Sequence, residues 1–379
     1  MIVVIKDFHF PSKTANVVQT IKMVEAFAKT CPVELWIPSA KTKNISQKAL
    51  KNQYACSRTV PYIQLASFWK KLPFWTNQAI ISYLFKISFY SACFLKLLKK
   101  QEKVYLYSRE PEAIVMAHLA NFFKKEKIIT CFEVHQFYKH PYQKMFTGLA
   151  LKAAAKIVVI NQKIKRRLKK AGFESGVFPN GVEERWLTNK RIADFESLML
   201  KHRLGVNKKI ILYAGSDLPW KGIDTLKACA LSDKNPKHQY VFVGFKDKDT
   251  QNTRFFSRVS RTKLREFYGL ADCFVLPNSG RYYISRFYTS PIKLFEYMAH
   301  KKPVIASDLP SIREILSDEY IWFFKSGKPK SLLAAVNKVF SLSKRQKLKK
   351  TKAAFALVKK NYTWEKRAEK ILNIITSQV

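Results

Sequence analysis

Short apolar runs rich in Val and Ile alternate with segments of helical periodicity, and the chain goes through this alternation twice. Ile2-Val3-Val4-Ile5 is apolar throughout, the mark of a strand buried on both faces. Val18, Ile21, Val24 and Phe27 then recur at helical spacing across 15–30, and 33–37 return to strand character. Such a βαβ opening calls for a parallel sheet covered by helices. Strands are expected next at 104–107, 128–134 and 156–161, with helices at 141–155 and 162–170. The polar stretch 183–203 reads as an interdomain linker. A second series starts at Ile210-Ile211-Leu212-Tyr213-Ala214. It continues through strands at 240–244, 273–276 and 304–306, with helices at 223–231, 261–270, 329–342, 344–360 and 363–374. The expected class is α/β with two parallel-sheet domains, for which 379 residues leave room.

Charge narrows the partners. Sixty-nine Lys and Arg against twenty-seven Asp and Glu give a formal net charge of +42, which calls for a large anionic partner, nucleic acid or a membrane surface. No helix-turn-helix, zinc-finger or RNP pattern supports specific nucleic-acid binding. Residues 68–100 interleave Phe68, Trp69, Phe74, Trp75, Tyr83, Phe85, Phe89, Tyr90 and Phe94 with six lysines. The apolar run 79–95 is broken by Lys86 and short for a membrane span, so the segment reads as a basic amphipathic helix lying in the membrane interface. The alternative is buried domain helices with exposed lysines. Cys31, Cys56, Cys93, Cys131, Cys229 and Cys273 are scattered without CxxC or zinc spacing, and read as reduced thiols. Residues 1–5 are expected to be a strand rather than a leader.

Candidate site residues cluster after expected strands, where open α/β sheets bind ligands. Arg109-Glu110-Pro111 and Glu133-Val134-His135 lie there in the first half. In the second, Gly215-Ser216 precede Lys221-Gly222, and Lys221 is expected to open the following helix as a cation for a diphosphate. The GxxxxGK[ST] order is absent. A further helix is expected to open at Pro291, with Leu294, Phe295 and Met298 on its buried face and Glu296 near enough to its start to bond a ligand hydroxyl.

These stretches resemble the retaining GT-B glycosyltransferases of family 4. The likeness is carried by residues 155–160 with Pro179-Asn180-Gly181-Val182, and by Tyr213-Ala214-Gly215 with Lys221-Gly222-Ile223-Asp224. It continues through residues 271–277, Ser290-Pro291-Ile292-Lys293-Leu294-Phe295-Glu296-Tyr297-Met298-Ala299, and residues 362–368. The resemblance implies two Rossmann-like domains facing a cleft: 1–183 for the acceptor, 184–361 for the donor, and a helix at 362–379 crossing back to the first. It implies a UDP- or GDP-sugar donor held by Gly215, Ser216, Lys221, Ser290, Pro291, Ile292, Lys293, Leu294 and Glu296. His135 would reach the transferred sugar and Lys221 would neutralise the leaving diphosphate. The resemblance implies that no metal or other cofactor is needed. The acceptor is expected to be a lipid or lipid-linked glycan, with the enzyme peripheral on the cytoplasmic face of the membrane, in surface polysaccharide or lipopolysaccharide synthesis.

Three positions depart from the pattern. Tyr288 stands where the first glutamate of E-x7-E would fall, and Ser216 where an arginine is usual. The glycine-rich loop after the first strand is replaced by residues 8–16, leaving Ser12, Lys13 and Asn16, together with Arg109, as expected acceptor contacts. The alternatives are a scaffold of the same fold with altered catalysis, or a nucleic-acid-binding protein drawn by charge alone.

Overall fold

The computed structural model describes the chain apart from residues 9, 13, 40–45, 68–77, 125–126, 138–139, 189–194 and 378–379, with backbone alone for 78–82. Lys13 and the first part of the aromatic segment, Trp69 and Trp75 included, therefore lie outside the described residues. The chain forms two compact units, Met1–Phe178 with Ala368–Val379, and Pro179–Arg367.

The first unit carries strands β1 (Ile2–Ile5), β2 (Val33–Pro38), β3 (Tyr62–Leu65), β4 (Val104–Ser108), β5 (Ile128–Val134), β6 (Lys156–Val159) and β7 (Gly176–Val177). They pair in parallel in the order β3-β2-β1-β4-β5-β6-β7. Its helices are α1 (Ala15–Phe27), α2 (Gln47–Tyr54), α3 (Gln78–Lys99), α4 (Pro111–Phe123), α5 (Pro141–Ala153) and α6 (Gln162–Lys170). All four residues of β1 are buried, because the strand is central and covered on both faces. Proline at the first turn starts α4 and α5, and Asn161 caps α6 by accepting from the Ile164 amide at 2.9 Å. Helix α3 packs one face into the unit, as the domain-helix reading expects, and leaves another exposed. Phe85, Phe89, Cys93 and Leu97 pack inward, while Leu84, Ile87 and Leu95 face solvent. Among the described residues no helix is long and apolar enough to cross a membrane.

The second unit starts with α7 (Phe195–Lys201) and holds β8 (Lys209–Ala214), β9 (His238–Val243), β10 (Thr253–Phe256), β11 (Cys273–Leu276), β12 (Val304–Ser307) and β13 (Trp322–Phe324). Their order is β10-β9-β8-β11-β12-β13, again parallel. Helices α8 (Ile223–Ser232), α9 (Arg261–Leu270), α10 (Ile292–Met298), α11 (Pro310–Arg313), α12 (Pro329–Ser341) and α13 (Lys344–Asn361) fill the connections, and α14 (Trp364–Thr376) ends the chain. The strand order reverses between β1 and β4 in one unit and between β8 and β11 in the other. Each reversal opens a crevice at the strands' carboxyl ends.

Three expectations change. The stretch 183–203 is no linker: Trp186 and Met199 belong to the second unit's core, and Glu183 sits in a buried ion cluster described below. The units divide at 178/179 and 367/368, so the expected boundaries at 183/184 and 361/362 fall inside the second unit. Val182 pairs there with Thr363, and a Cβ on Gly181 would come within 2.7 Å of the Thr363 backbone. Lys221 does not open α8. It ends a 3-10 turn, Pro219–Lys221, and Gly222 caps the helix.

Candidate functional site

In the second unit the chain leaves β8 through Gly215-Ser216 and turns at Pro219–Lys221. The Ser279 amide, just past β11, donates to the Trp220 carbonyl at 3.0 Å, which clamps this turn across the β8/β11 reversal. Gly222 has φ +69°, and a Cβ there would lie 2.0 Å from the Pro277 carbonyl oxygen, so only glycine allows the close approach. Gly215 is crowded for another reason: a Cβ would meet the Tyr213 hydroxyl at 2.3 Å, and that hydroxyl donates to the Ser216 carbonyl at 2.8 Å. The clamp leaves Lys221 Nζ 3.9 Å from the centre of the Trp220 ring. Burial, with the Lys293 charge adding to it, brings the Lys221 pKa down to about 8. Among the described residues no carboxylate pairs with Lys221, so the site is short of negative charge and suited to an anion.

Helix α10 brings the next residues. Pro291 is its N-cap and Leu294 is core. Ser290 is engaged by Asn180, whose amide donates to the Ser290 hydroxyl at 2.9 Å and whose Nδ2 donates to the Ser290 carbonyl at 2.7 Å. Tyr297 stacks on Phe274, ring centres 4.4 Å apart, and its hydroxyl accepts from the Ala214 amide at 2.8 Å, tying α10 to β8. Glu296, the residue expected to bond a ligand hydroxyl, is fully buried. Arg261 donates to one of its oxygens at 2.7 Å, while Tyr268 and Lys293 donate to the other at 2.9 Å each. Arg261 also holds both oxygens of Glu183, at 2.9 and 2.7 Å. Burial works to raise the Glu296 pKa, but Lys293 and Arg261 outweigh it and hold the carboxyl below its usual range. Burial lowers the Lys293 pKa despite Glu296. His300 donates to the Glu296 carbonyl at 2.7 Å, and burial brings its pKa down to about 4, so the ring stays neutral.

The first unit has its own cluster at the β1/β4 reversal. Lys6, just past β1, pairs with Glu110, just past β4. Glu133 and His135, two residues apart and so on one side of an extended segment, pair with each other. Gln19 of α1 donates to Glu133 at 3.0 Å and lies 3.3 Å from His135 Nε2. Arg109 donates to Gln19 Oε1 at 2.7 Å, so Arg109 and His135 converge on one glutamine side chain. Ser12 and Asn16 serve local turns. The Ser12 amide donates to the Tyr54 hydroxyl, and Asn16 Oδ1 accepts from Thr14 and Val17. Among the described residues, no group of three or more His, Cys, Asp and Glu side chains is placed to hold a metal ion.

Of the expected donor residues, Lys221, Lys293 and Glu296 therefore form one electrostatic cluster. Glu183, Arg261 and Tyr268 were missed. Arg261 is one of three cations in α9, beside Lys263 and Arg265, with nothing in its neighbours to mark it as a bridge between two carboxylates. Gln19 and Lys6 were also missed, whereas the Glu133/His135 spacing carried a readable signal.

Residues 194–355 match the family model described as glycosyl transferases, group 1. No curated protein sequence matches the chain significantly. Several solved structures share the fold. Anabaena HepE in complex with UDP and glucose aligns with TM-score 0.71 at 15% identity, over 100% of this chain and 99% of its own. A glycosyltransferase from Rickettsia africae aligns with TM-score 0.71 at 18% identity, over 99% and 97%. WaaG, a glycosyltransferase involved in lipopolysaccharide biosynthesis, aligns with TM-score 0.66 at 14% identity, over 100% of both chains. The two-sheet architecture is the GT-B fold, and the group 1 match over residues 194–355 supports a glycosyltransferase.

Proposed function

We propose that the enzyme transfers a hexose from a UDP- or GDP-sugar, with retention and without a metal ion, to a lipid or lipid-linked glycan at an anionic membrane surface. The observation that carries the donor reading is the unpaired, burial-weakened cation Lys221 beside Lys293 at the β8/β11 reversal. A diphosphate leaving group develops negative charge as its bond to the sugar breaks, and a fixed cation there lowers the barrier. The UDP complex of the fold-sharing Anabaena protein supports a nucleotide-sugar donor.

Retention is supported by the state of the acids. Glu183 and Glu296 are locked to Arg261 and Lys293, so neither is presented as a general base. In a front-face mechanism the departing phosphate oxygen takes the acceptor proton, and a separate carboxylate base is not needed. In the first unit, His135, oriented by Glu133, and Arg109 supply contacts for the sugar or the acceptor. The lipid acceptor and the membrane site, in surface polysaccharide or lipopolysaccharide synthesis, rest on the charge of +42, on the solvent-facing apolar stripe of α3, and on the role named for WaaG.

Thermal melting with UDP, GDP, ADP and CMP and their sugar conjugates, in buffer containing EDTA, tests the donor reading. One nucleotide should raise the melting temperature as RT ln(1 + [L]/Kd) requires, and Lys221→Ala should abolish that rise. No rise with any nucleotide, from folded protein, overturns it.

A further inference from the structure

The first unit turns an apolar and basic face outward. Among its described residues, every large exposed hydrophobic side chain lies on α3, α4 or α5. Ile87 of α3 is 63% exposed, and Phe122 and Phe123 of α4 are 73% exposed each. Met145 and Leu149, one turn apart on α5, extend the patch. The helices are neighbours: Tyr83 and Tyr142 join α3 to α5 with ring centres 5.1 Å apart, and Phe94 and Phe123 join α3 to α4 at 5.9 Å. Exposed lysines accompany them, Lys99 on α3, Lys144 and Lys152 on α5, and Lys127 just beyond α4. The one acid among the described residues of these three helices is Glu112, which is buried and paired with Lys86.

A patch of this kind, spanning three helices, needs a cover. We infer that it is the surface by which the chain seats itself on an anionic lipid bilayer. The inference rests on the membrane reading above and extends the anchor from α3 to α4 and α5, beyond the aromatic segment singled out by the sequence. Charge selects the occupant. A second copy pressed against this face would bring lysines to lysines, whereas lipid phosphates neutralise them while the phenylalanines enter the acyl boundary. No described helix crosses, so the face lies on the bilayer. Helices α4 and α5 follow β4 and β5, whose carboxyl ends lead to Arg109 and His135, and the Lys86–Glu112 pair fastens α3 to the first turn of α4. The docking face thus lies on the helices that follow the segments carrying Arg109 and His135.

Co-sedimentation of the full chain with phosphatidylcholine vesicles, with and without phosphatidylglycerol, tests this. Wild type should bind the anionic vesicles and be released by salt. The variant Ile87→Ser/Phe122→Ser/Met145→Ser should partition about tenfold more weakly or worse, with melting temperature and nucleotide binding unchanged. Phe122→Asp alone, at a side chain already in solvent, repeats the test with less disturbance to the fold. Undiminished binding by both variants overturns the face but leaves the membrane reading standing. Failure of wild type to bind anionic vesicles overturns both, while the donor reading is judged by nucleotide binding. If the variants convert a wild-type dimer to monomer in light scattering and still bind vesicles, the occupant is a second copy and the inference fails.

Discussion

Raising the pH past 8 discharges Lys221, and the strength of diphosphate binding should follow. Burial and Lys293 together bring its pKa from 10.5 to about 8. A bound diphosphate supplies the missing counter-charge and returns the pKa toward 10.5. Each unit is worth about 1.4 kcal/mol, so proton and ligand are coupled by about 3 kcal/mol at most. Below pH 8 the lysine is charged in the free and the bound enzyme, and affinity is flat. Between about 8 and 10.5 the free site has lost a proton that the complex retains, so UDP affinity should fall about tenfold per pH unit. Calorimetric titration with UDP from pH 7 to pH 9, in buffers of different ionisation heat, reads the affinity and the proton taken up. Lys221→Arg stays charged throughout and should show no slope. An affinity that stays constant over this range in wild type, or a slope that persists in the arginine variant, would refute the reasoning. The free protein gives the opposite trend. Its folded-state pKa lies below the unfolded value, so Lys221 costs stability below pH 8, and that cost is relieved as pH rises toward 10.5.

Two further outcomes concern the buried cluster. Arg261→Leu leaves Glu183 and Glu296 without their shared cation and should cost about 3–5 kcal/mol in urea unfolding; adding Glu296→Gln should recover part of it, and a loss under about 1 kcal/mol would contradict the network. His300 is held neutral with a pKa of about 4 against 6.5 unfolded. Its contribution is complete above pH 6.5 and is lost as pH falls toward 4, by up to about 3 kcal/mol; unfolding curves of His300→Gln should show a flatter acid limb, and an unchanged limb would exclude this histidine as its source.

The central strands were legible because burial on both faces writes a continuous apolar run, as in β1, β5 and β11. The strands that escaped notice, β3, β7, β10 and β13, are all at sheet edges. An edge strand has one neighbour, is short, and admits polar residues such as Gln64 and Arg254, so its pattern fades into loop. The candidate site was legible where local sequence sets it: Lys221 beside Gly222, Lys293 and Glu296 on one short helix. It was illegible where partners come from afar, because nothing near Arg261 announces that it will bridge residues 183 and 296. The same limit hid the donors of Glu296, two of which, Arg261 and Tyr268, come from α9.

Helix α14 begins in the second unit and ends in the first, where Ala368, Ile371 and Ile375 are buried. The first unit is therefore composed of the earliest and the latest parts of the chain. During synthesis, residues 1–178 emerge long before the helix that completes them, while residues 179–367 form one uninterrupted stretch. Until that helix has been made, Ile371 and Ile375 cannot be buried in the first unit. Disrupting residues 368–377 would therefore act on the unit built from residues 1–178, far away in sequence.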